Sequence, residues 1–509
     1  MRRAALLPGL LVAMGTTSLA AQAGRPNGLI TLPEPGSPFV AFSLWVQVGS
    51  QHDPAGKEGL AALTAALLAD GSTTADAYDQ ILAKLYPMAA GYDATVDKEM
   101  TVFRGRVHRD NLEAYYPLFR NAVLAPAFAE EDFERVKTQT LNFLERTRRY
   151  ARDEELSKEL LFWVAYRGTP YAHPEEGYVA SVRSLTLDDV KQFYASHYRR
   201  GSVVVAVGGG YPDGFGQRVR RDFDALPAGR VAAVPAPRPA PLSGIKVLIV
   251  EKPTDATAIS LGFPTDLVRG HTDFFALMAA NSWFGEHRNS FSHLYQVIRE
   301  TRGMNYGDYS YIEAFPLGYT TQQPPVNVAR RRQLFEIWIR PIARTGPDDL
   351  HDRALFATRA AWRELQHLVD SGMTDTTLAA TQQFLRNFSV NYGSTVSRRL
   401  AYAVDDAYYG LKGDGFLAAI RPGLAALTTR AVNAAIRRHL QYRNMYVVFI
   451  TQDAEGLKRK LLGGEPTNIR YTGEKPAALL AEDAEIARYP IPVRPEDITV
   501  MNVNEVFER

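Results

Sequence analysis

Apolar residues recur along the chain with two periods, and these predict an alternation of strands and helices. Phe39-Val40-Ala41-Phe42-Ser43-Leu44-Trp45-Val46-Gln47-Val48-Gly49-Ser50 alternates in part and is dense in β-branched and aromatic residues, the pattern of a strand. Leu60, Leu63 and Leu67 then fall at i, i+3 and i+7, predicting a helix between the breaks Asp53-Pro54-Ala55-Gly56 and Asp70-Gly71. A helix over 76–86, strand-like segments around 92–107 and helices near 110–123 and 130–149 follow. Leu187 to Tyr194 reads as a helix capped by Thr186, and it leads to an apolar strand over Ser202–Gly208.

Between Pro227 and Ser243 closely spaced prolines predict a stiff, extended linker. Beyond it the pattern repeats. Ala258–Phe263 answers the opening strand, and Leu427–Val432 leading to Asn444–Ile450 answers the helix and strand that close the first half. Duplication at this scale predicts two similar α+β domains, residues 24–226 and 244–475, each a mostly antiparallel sheet with helices packed on one face. The tail, residues 476–509, reads as extended and wrapped on the second domain.

The second face of the first clear helix is bare, with Ala62, Ala65 and Ala66. Its frame, Gly-Leu-Ala-x-x-x-x-x-Leu-Leu-x-x-Gly-Ser, resembles the pitrilysin/insulinase-type metallopeptidases, whose variable positions spell His-x-x-Glu-His. In that inverted motif two histidines at i and i+4 grip Zn²⁺ while the glutamate activates water. The resemblance places Ala62, Ala65 and Ala66 at those three positions. It places Phe143 at the third ligand, a glutamate in the family. Glu145 is the nearest carboxylate, but two helical positions turn it about 200° away. Alanine and phenylalanine can neither hold a metal nor move a proton, so the resemblance implies a degenerate site and no metal in this chain.

The resemblance extends over roughly residues 28–475 and implies the duplicated fold of that family. It also covers Arg299-Glu300-Thr301-Arg302-Gly303-Met304-Asn305-Tyr306, similar to the family's Arg-x-x-Arg-Gly-x-x-Tyr segment. There an arginine and a tyrosine meet the substrate across the cavity from zinc, and the matching residues are Arg299 and Tyr306. Both can donate hydrogen bonds to a carbonyl that becomes an oxyanion. On residue type alone, an ion-paired Arg299 and a sheet Tyr306 are the better account; the family frame, with Gly303 at the turn, favours the site role. Arg302 reads as a turn-fixing residue.

Composition narrows the possibilities further. Met1-Arg2-Arg3, an apolar stretch from Ala4 to Leu19 and the small-residue end Ala21-Gln22-Ala23 predict a secretory signal over residues 1–23. Its removal takes the formal charge from +2 to zero. No later segment has the length and apolarity of a membrane span. The absence of cysteine excludes disulfides, thiolate metal sites and a cysteine nucleophile. Near-neutral charge argues against nucleic acid, and Arg330-Arg331-Arg332 reads as a solvated loop. The ten histidines form no His-x-x-Glu-His or His-Glu-x-x-His, and His287 and His293 are the one close pair. Gly208-Gly209-Gly210 fits a strand end better than a phosphate loop, and Tyr166–Gly177 reads as structural.

These features lead to an exported, periplasmic, non-catalytic subunit of a heterodimeric zinc endopeptidase. Its zinc-bearing partner would hold the metal, and the ligand would be a peptide. A peptide-binding scaffold with no role in proteolysis is the alternative, taking peptides by strand addition along Tyr92–Val96 or Tyr306–Ile312.

Overall fold

The computed structural model describes residues 28–315, 323–342 and 347–509; the predicted signal segment lies outside them. Eleven strands are found among these residues: β1 (Leu29–Pro33), β2 (Phe39–Val46), β3 (Gly91–Val96), β4 (Thr101–His108), β5 (Val203–Gly209), β6 (Ile245–Glu251), β7 (Ala258–Thr265), β8 (Asn305–Tyr311), β9 (Gln333–Pro341), β10 (Met445–Thr451) and β11 (Ile498–Asn502). The first sheet runs β1-β5-β2-β4-β3, and the second runs β11-β6-β10-β7-β9-β8. Without β11, the second order repeats the first strand for strand. The pairing directions repeat as well: β1 with β5 and β6 with β10 are parallel, and the rest of both five-strand sets is antiparallel. The architecture is therefore a duplicated α+β fold.

All seven residues of β5 are buried, which requires cover on both sheet faces. Helices on one face alone, as the sequence predicts, would leave every second residue in water. The second cover comes from the other half. The helix Asp153–Ala165, from the first half, packs on β7, β9 and β10, where Leu156, Leu160 and Leu161 join Leu248, Val250, Val448 and Ile450. Reciprocally, Val396–Tyr409 packs on β1, β2 and β5, and its Val396, Leu400, Val404 and Tyr408 meet Ala41, Trp45, Val204 and Ala206. The Trp45 and Tyr408 rings stack at 4.8 Å. Each fully buried aliphatic side chain here contributes about 1.5–3 kcal/mol. These two crossing helices, together with buried ion pairs, hold the halves together.

The predicted linker has no regular structure between Pro227 and Ser243. The tail differs from its expected extended form. It folds into a helix, Ala477–Ile486, and then β11, which adds in parallel to the edge of the second sheet beside β6. Arg302 reaches this helix, its Nε and Nη2 donating to Asp483 and Glu482 at 2.7 Å, and Nη1 holds the Val297 carbonyl at 2.8 Å. A short-range pattern could not show that the turn arginine anchors the tail.

Candidate functional site

The alanine-bearing helix spans Leu60–Asp70; Ala65 is buried, while Ala62 and Ala66 are half-buried. Its first-turn amides are satisfied from upstream: Asp53 carboxylate oxygens accept from the Gly59 and Ala61 N–H groups, both at 2.7 Å. Burial pushes the Asp53 carboxyl well above its ordinary range, against these two hydrogen bonds. Gly59 adopts φ +96°, and a Cβ there would lie 2.3 Å from the Glu176 carbonyl oxygen. The helix start is thus locked against the Glu176–Gly177 turn.

The helix predicted over 130–149 changes pitch at Phe143. It is α-helical over Glu130–Asn142 and a π-helix over Phe143–Ala151. The wider turn lets Arg148 and Arg149 reach buried partners: Arg149 Nε donates to the Val506 carbonyl at 2.9 Å, and Arg148 stacks on the Phe143 ring at 5.1 Å. Glu145 pairs instead with the exposed Arg183. Three methyl groups and a phenyl ring, at the positions that the sequence resemblance sets against zinc, supply no donor atoms, so these residues do not fit the metal.

In the second half the predicted helix is a π-helix over Tyr295–Glu300; the turn follows at Gly303, φ +61°, and then β8. Arg299 lies over the Tyr295 ring at 4.6 Å. Burial raises the Asp308 carboxyl well above its usual range, opposed by the Asn305 hydrogen bond and the Arg299 charge. Tyr306 lies in β8, and its side chain falls outside what the structure describes.

A cavity of about 170 Å³ lies between the halves. Neither the three alanines, nor Phe143, nor Arg299 is part of its lining; Arg148, stacked on Phe143, is. Beside Arg148, the first half supplies Lys98, Glu159, Glu175 and Glu176. Lys98 Nζ lies 2.8 Å from Glu175 and 3.6 Å from Glu159, and donates to the His173 carbonyl at 2.7 Å. Arg148 lies 2.6 Å from Glu176 and 3.6 Å from Glu159. Burial, reinforced by Glu175, raises Asp97 at the rim to about 7. Across the gap, burial outweighs the pull of Lys158 and raises Glu336 to about 7.

These charged residues were missed in the sequence, where Tyr166–Gly177 reads as structural. The available signal was Lys158-Glu159 between Leu156 and Leu160-Leu161, since charges inside an apolar helical period imply buried partners. The arginine run also departs from expectation. Arg330 is 2% exposed and paired with Glu313, Arg331 binds buried Glu99 at 2.9 Å, and Arg332 lines the cavity. This is a buried seam and not a solvated loop.

His287 and His293 diverge. The first bonds the Tyr311 hydroxyl at 2.8 Å and the second bonds Glu364 at 2.7 Å. Among the described residues, His271, Asp273 and His439 form the one group with three metal-capable atoms within 4.8 Å of one another. There the Asp273 carboxylate is engaged by His439 and Arg438, and His271 Nδ1 accepts the Asp273 N–H at 3.0 Å.

Two α+β halves of matching strand order thus meet across a shared cavity. The family description Insulinase (Peptidase family M16) matches residues 29–177, and Peptidase M16 inactive domain matches residues 184–384. The chain belongs to the M16, insulinase-type peptidase family. An uncharacterized zinc protease of Streptomyces coelicolor is 25% identical over 358 residues, 69% of this chain and 72% of that protein. The mitochondrial-processing peptidase subunit beta of Bos taurus is 20% identical, over 52% of this chain and 54% of its own length. Among solved structures, a peptidase M16 inactive domain from Pseudomonas fluorescens has a TM-score of 0.69 at 23% identity, covering 83% of this chain and 95% of that one. Complex III2 of Candida albicans includes a chain with a TM-score of 0.62 at 14% identity, covering 84% and 96%. At those identities the structures report the fold alone.

Proposed function

We propose that this chain is an exported, periplasmic, non-catalytic subunit of a heterodimeric zinc endopeptidase. A zinc-bearing M16 partner performs the hydrolysis, while this chain completes the chamber and offers Arg299 and Tyr306 to the peptide. The observation that carries the reading is an intact helix, Leu60–Asp70, held at its start by Asp53, that bears Ala62, Ala65 and Ala66 where the sequence resemblance sets the family's metal motif. Similarity to a protein named as one subunit of a processing peptidase supports assembly with a second chain.

The test is affinity purification of the tagged chain from its own cell envelope, with zinc and peptidase activity measured in the eluate. A co-purifying M16 chain that brings zinc and activity is expected. Turnover of that pair should fall with Arg299→Ala and with Tyr306→Phe, and unchanged turnover with both removes their assigned role. A second reading, a peptide-binding scaffold outside proteolysis, is favoured by β3 and β8 standing last in their sheets among the described strands, the position at which an added strand pairs. A zinc-free, inactive, solitary chain from the same purification selects it.

A further inference from the structure

β8 is irregular at its start. Asn305 pairs with Pro341 of β9 and Asp308 pairs with Ile339, so the steps from 305 to 308 exceed by one residue those from 341 to 339. The extra residue makes a β-bulge that holds Tyr306 and Gly307, just after the Gly303 turn. A bulge sets the local course of its strand, here at Tyr306. Gly307 lets the bulge fit, since a Cβ there would lie 2.6 Å from Trp338 Cζ3.

Two buried side chains close it. The Asn305 Nδ2 amide donates to the Gly307 carbonyl at 3.1 Å and to Asp308 Oδ1, which uses both of its hydrogens. Asn305 Oδ1 and Asp308 Oδ2 remain buried with no hydrogen-bond partner. With Asp308 ionised both are acceptors, and two acceptors cannot satisfy each other. The charged and titratable groups around Asp308 are Arg299 and Tyr295 of the π-helix and Tyr309 of β8, while β9 sets Ile339 opposite it. Burial keeps the proton on Asp308 against the Arg299 charge.

We propose that Asp308 is a neutral acid forming a cyclic pair with Asn305, its Oδ2–H donating to Asn305 Oδ1 while the amide donates back to Asp308 Oδ1. One proton then satisfies both orphaned oxygens, and the second amide hydrogen ties the ring to the bulge at Gly307. A carboxyl kept neutral by an apolar site becomes a hydrogen-bond donor in this way. Asn305 and Asp308 are thereby positioning residues for the Arg299–Tyr306 segment, a role that rests on the reading that this segment meets peptide. The folded chain keeps a proton that the unfolded chain releases near 3.8. The contribution of the pair is therefore fully present below that pH and is lost as pH rises and the folded carboxyl ionises against Asn305 Oδ1.

Infrared difference spectroscopy of the full chain against Asp308→Asn tests the pair. At neutral pH the wild type should show a protonated-carboxyl stretch that the variant lacks. Asp308→Asn sets an N–H where the acid has its O–H, so both hydrogen bonds survive. Its urea midpoint should match wild type near pH 3.8 and exceed it increasingly as pH rises. Asn305→Leu removes the ring, and hydrogen-exchange mass spectrometry should show the segment with Tyr306 and Gly307 exchanging about tenfold faster or more. No acid band, a lower midpoint for Asp308→Asn at every pH, or exchange unmoved by Asn305→Leu overturns the pair; where Asn305→Leu does not fold, the band and Asp308→Asn decide. In the assembled peptidase, turnover should fall with Asp308→Leu and be retained with Asp308→Asn, and turnover unmoved by Asp308→Leu removes the positioning role. Failure to capture a zinc-bearing partner overturns the peptidase reading and with it that role, while the infrared band and the exchange rates still judge the pair.

Discussion

The two walls of the cavity come from halves with the same strand order, yet they differ in kind. Lys98, Arg148, Glu159, Glu175 and Glu176 make the first half's wall ionic; Ala314, Phe315, Val326, Val328, Ala329 and Leu334 make the second half's largely apolar, interrupted by Glu313, Arg332 and Glu336. A buried ionic lattice is stable only while every charge keeps its partner, so the first wall tolerates little change in geometry. An apolar wall has no directional bonds to lose and admits varied shapes. The two halves share a topology, while the surfaces they turn to the gap differ in kind.

The largest effect is expected on the ionic side. Lys98→Met leaves Glu159 and Glu175 facing each other without their shared cation, and urea denaturation should register a loss of about 3–5 kcal/mol. A loss under about 1 kcal/mol would show that the lattice does not hold the wall. On the apolar side Leu334→Ala should cost about 2–3 kcal/mol, the low end for such truncations, because the side chain borders existing space. A cost equal to that of Lys98→Met would erase the distinction between the walls.

Glu336 tests the boundary between the two behaviours through pH. The folded chain holds its proton up to about 7, whereas the unfolded chain releases it near 4.5. Between those values the folded state binds more protons, so this group lowers stability as pH rises through the window. Glu336→Gln removes that slope. Relative to wild type the variant should gain on the order of 3 kcal/mol as pH rises from 4.5 through 7 in paired denaturation curves, and little further above. The smallest effect belongs to Glu145→Ala. Its partner Arg183 is exposed, so stability should shift by less than about 1 kcal/mol, and zinc content measured by atomic emission should not change.

Local signals in the sequence led to local structure. The helix at Leu60–Asp70 follows its leucine spacing, and Thr186 caps Leu187–His197 by accepting the Asp189 N–H at 3.2 Å. The repeat of strands across the proline segment was legible because each half carries its own apolar periods. The crossing helices were not, since nothing within Asp153–Ala165 says which sheet its leucines cover. Arg331 was misread for the same reason: its partner Glu99 is 232 positions away, and isolated sequence favours water for an arginine run. The π-helix that turns Arg148 onto Phe143 left no trace in the apolar period.

The reciprocal helices also set an order of events in the making of the protein. Leu156, Leu160 and Leu161 are synthesised early, but their seat includes β10 and the terminal Val503, Val506 and Phe507, while Arg149 bonds a carbonyl 357 residues downstream. A nascent first half therefore carries an apolar helix whose seat is built in stages, Leu248, Val250 and Ala258 first and Val503, Val506 and Phe507 much later. Such long-range closure slows assembly.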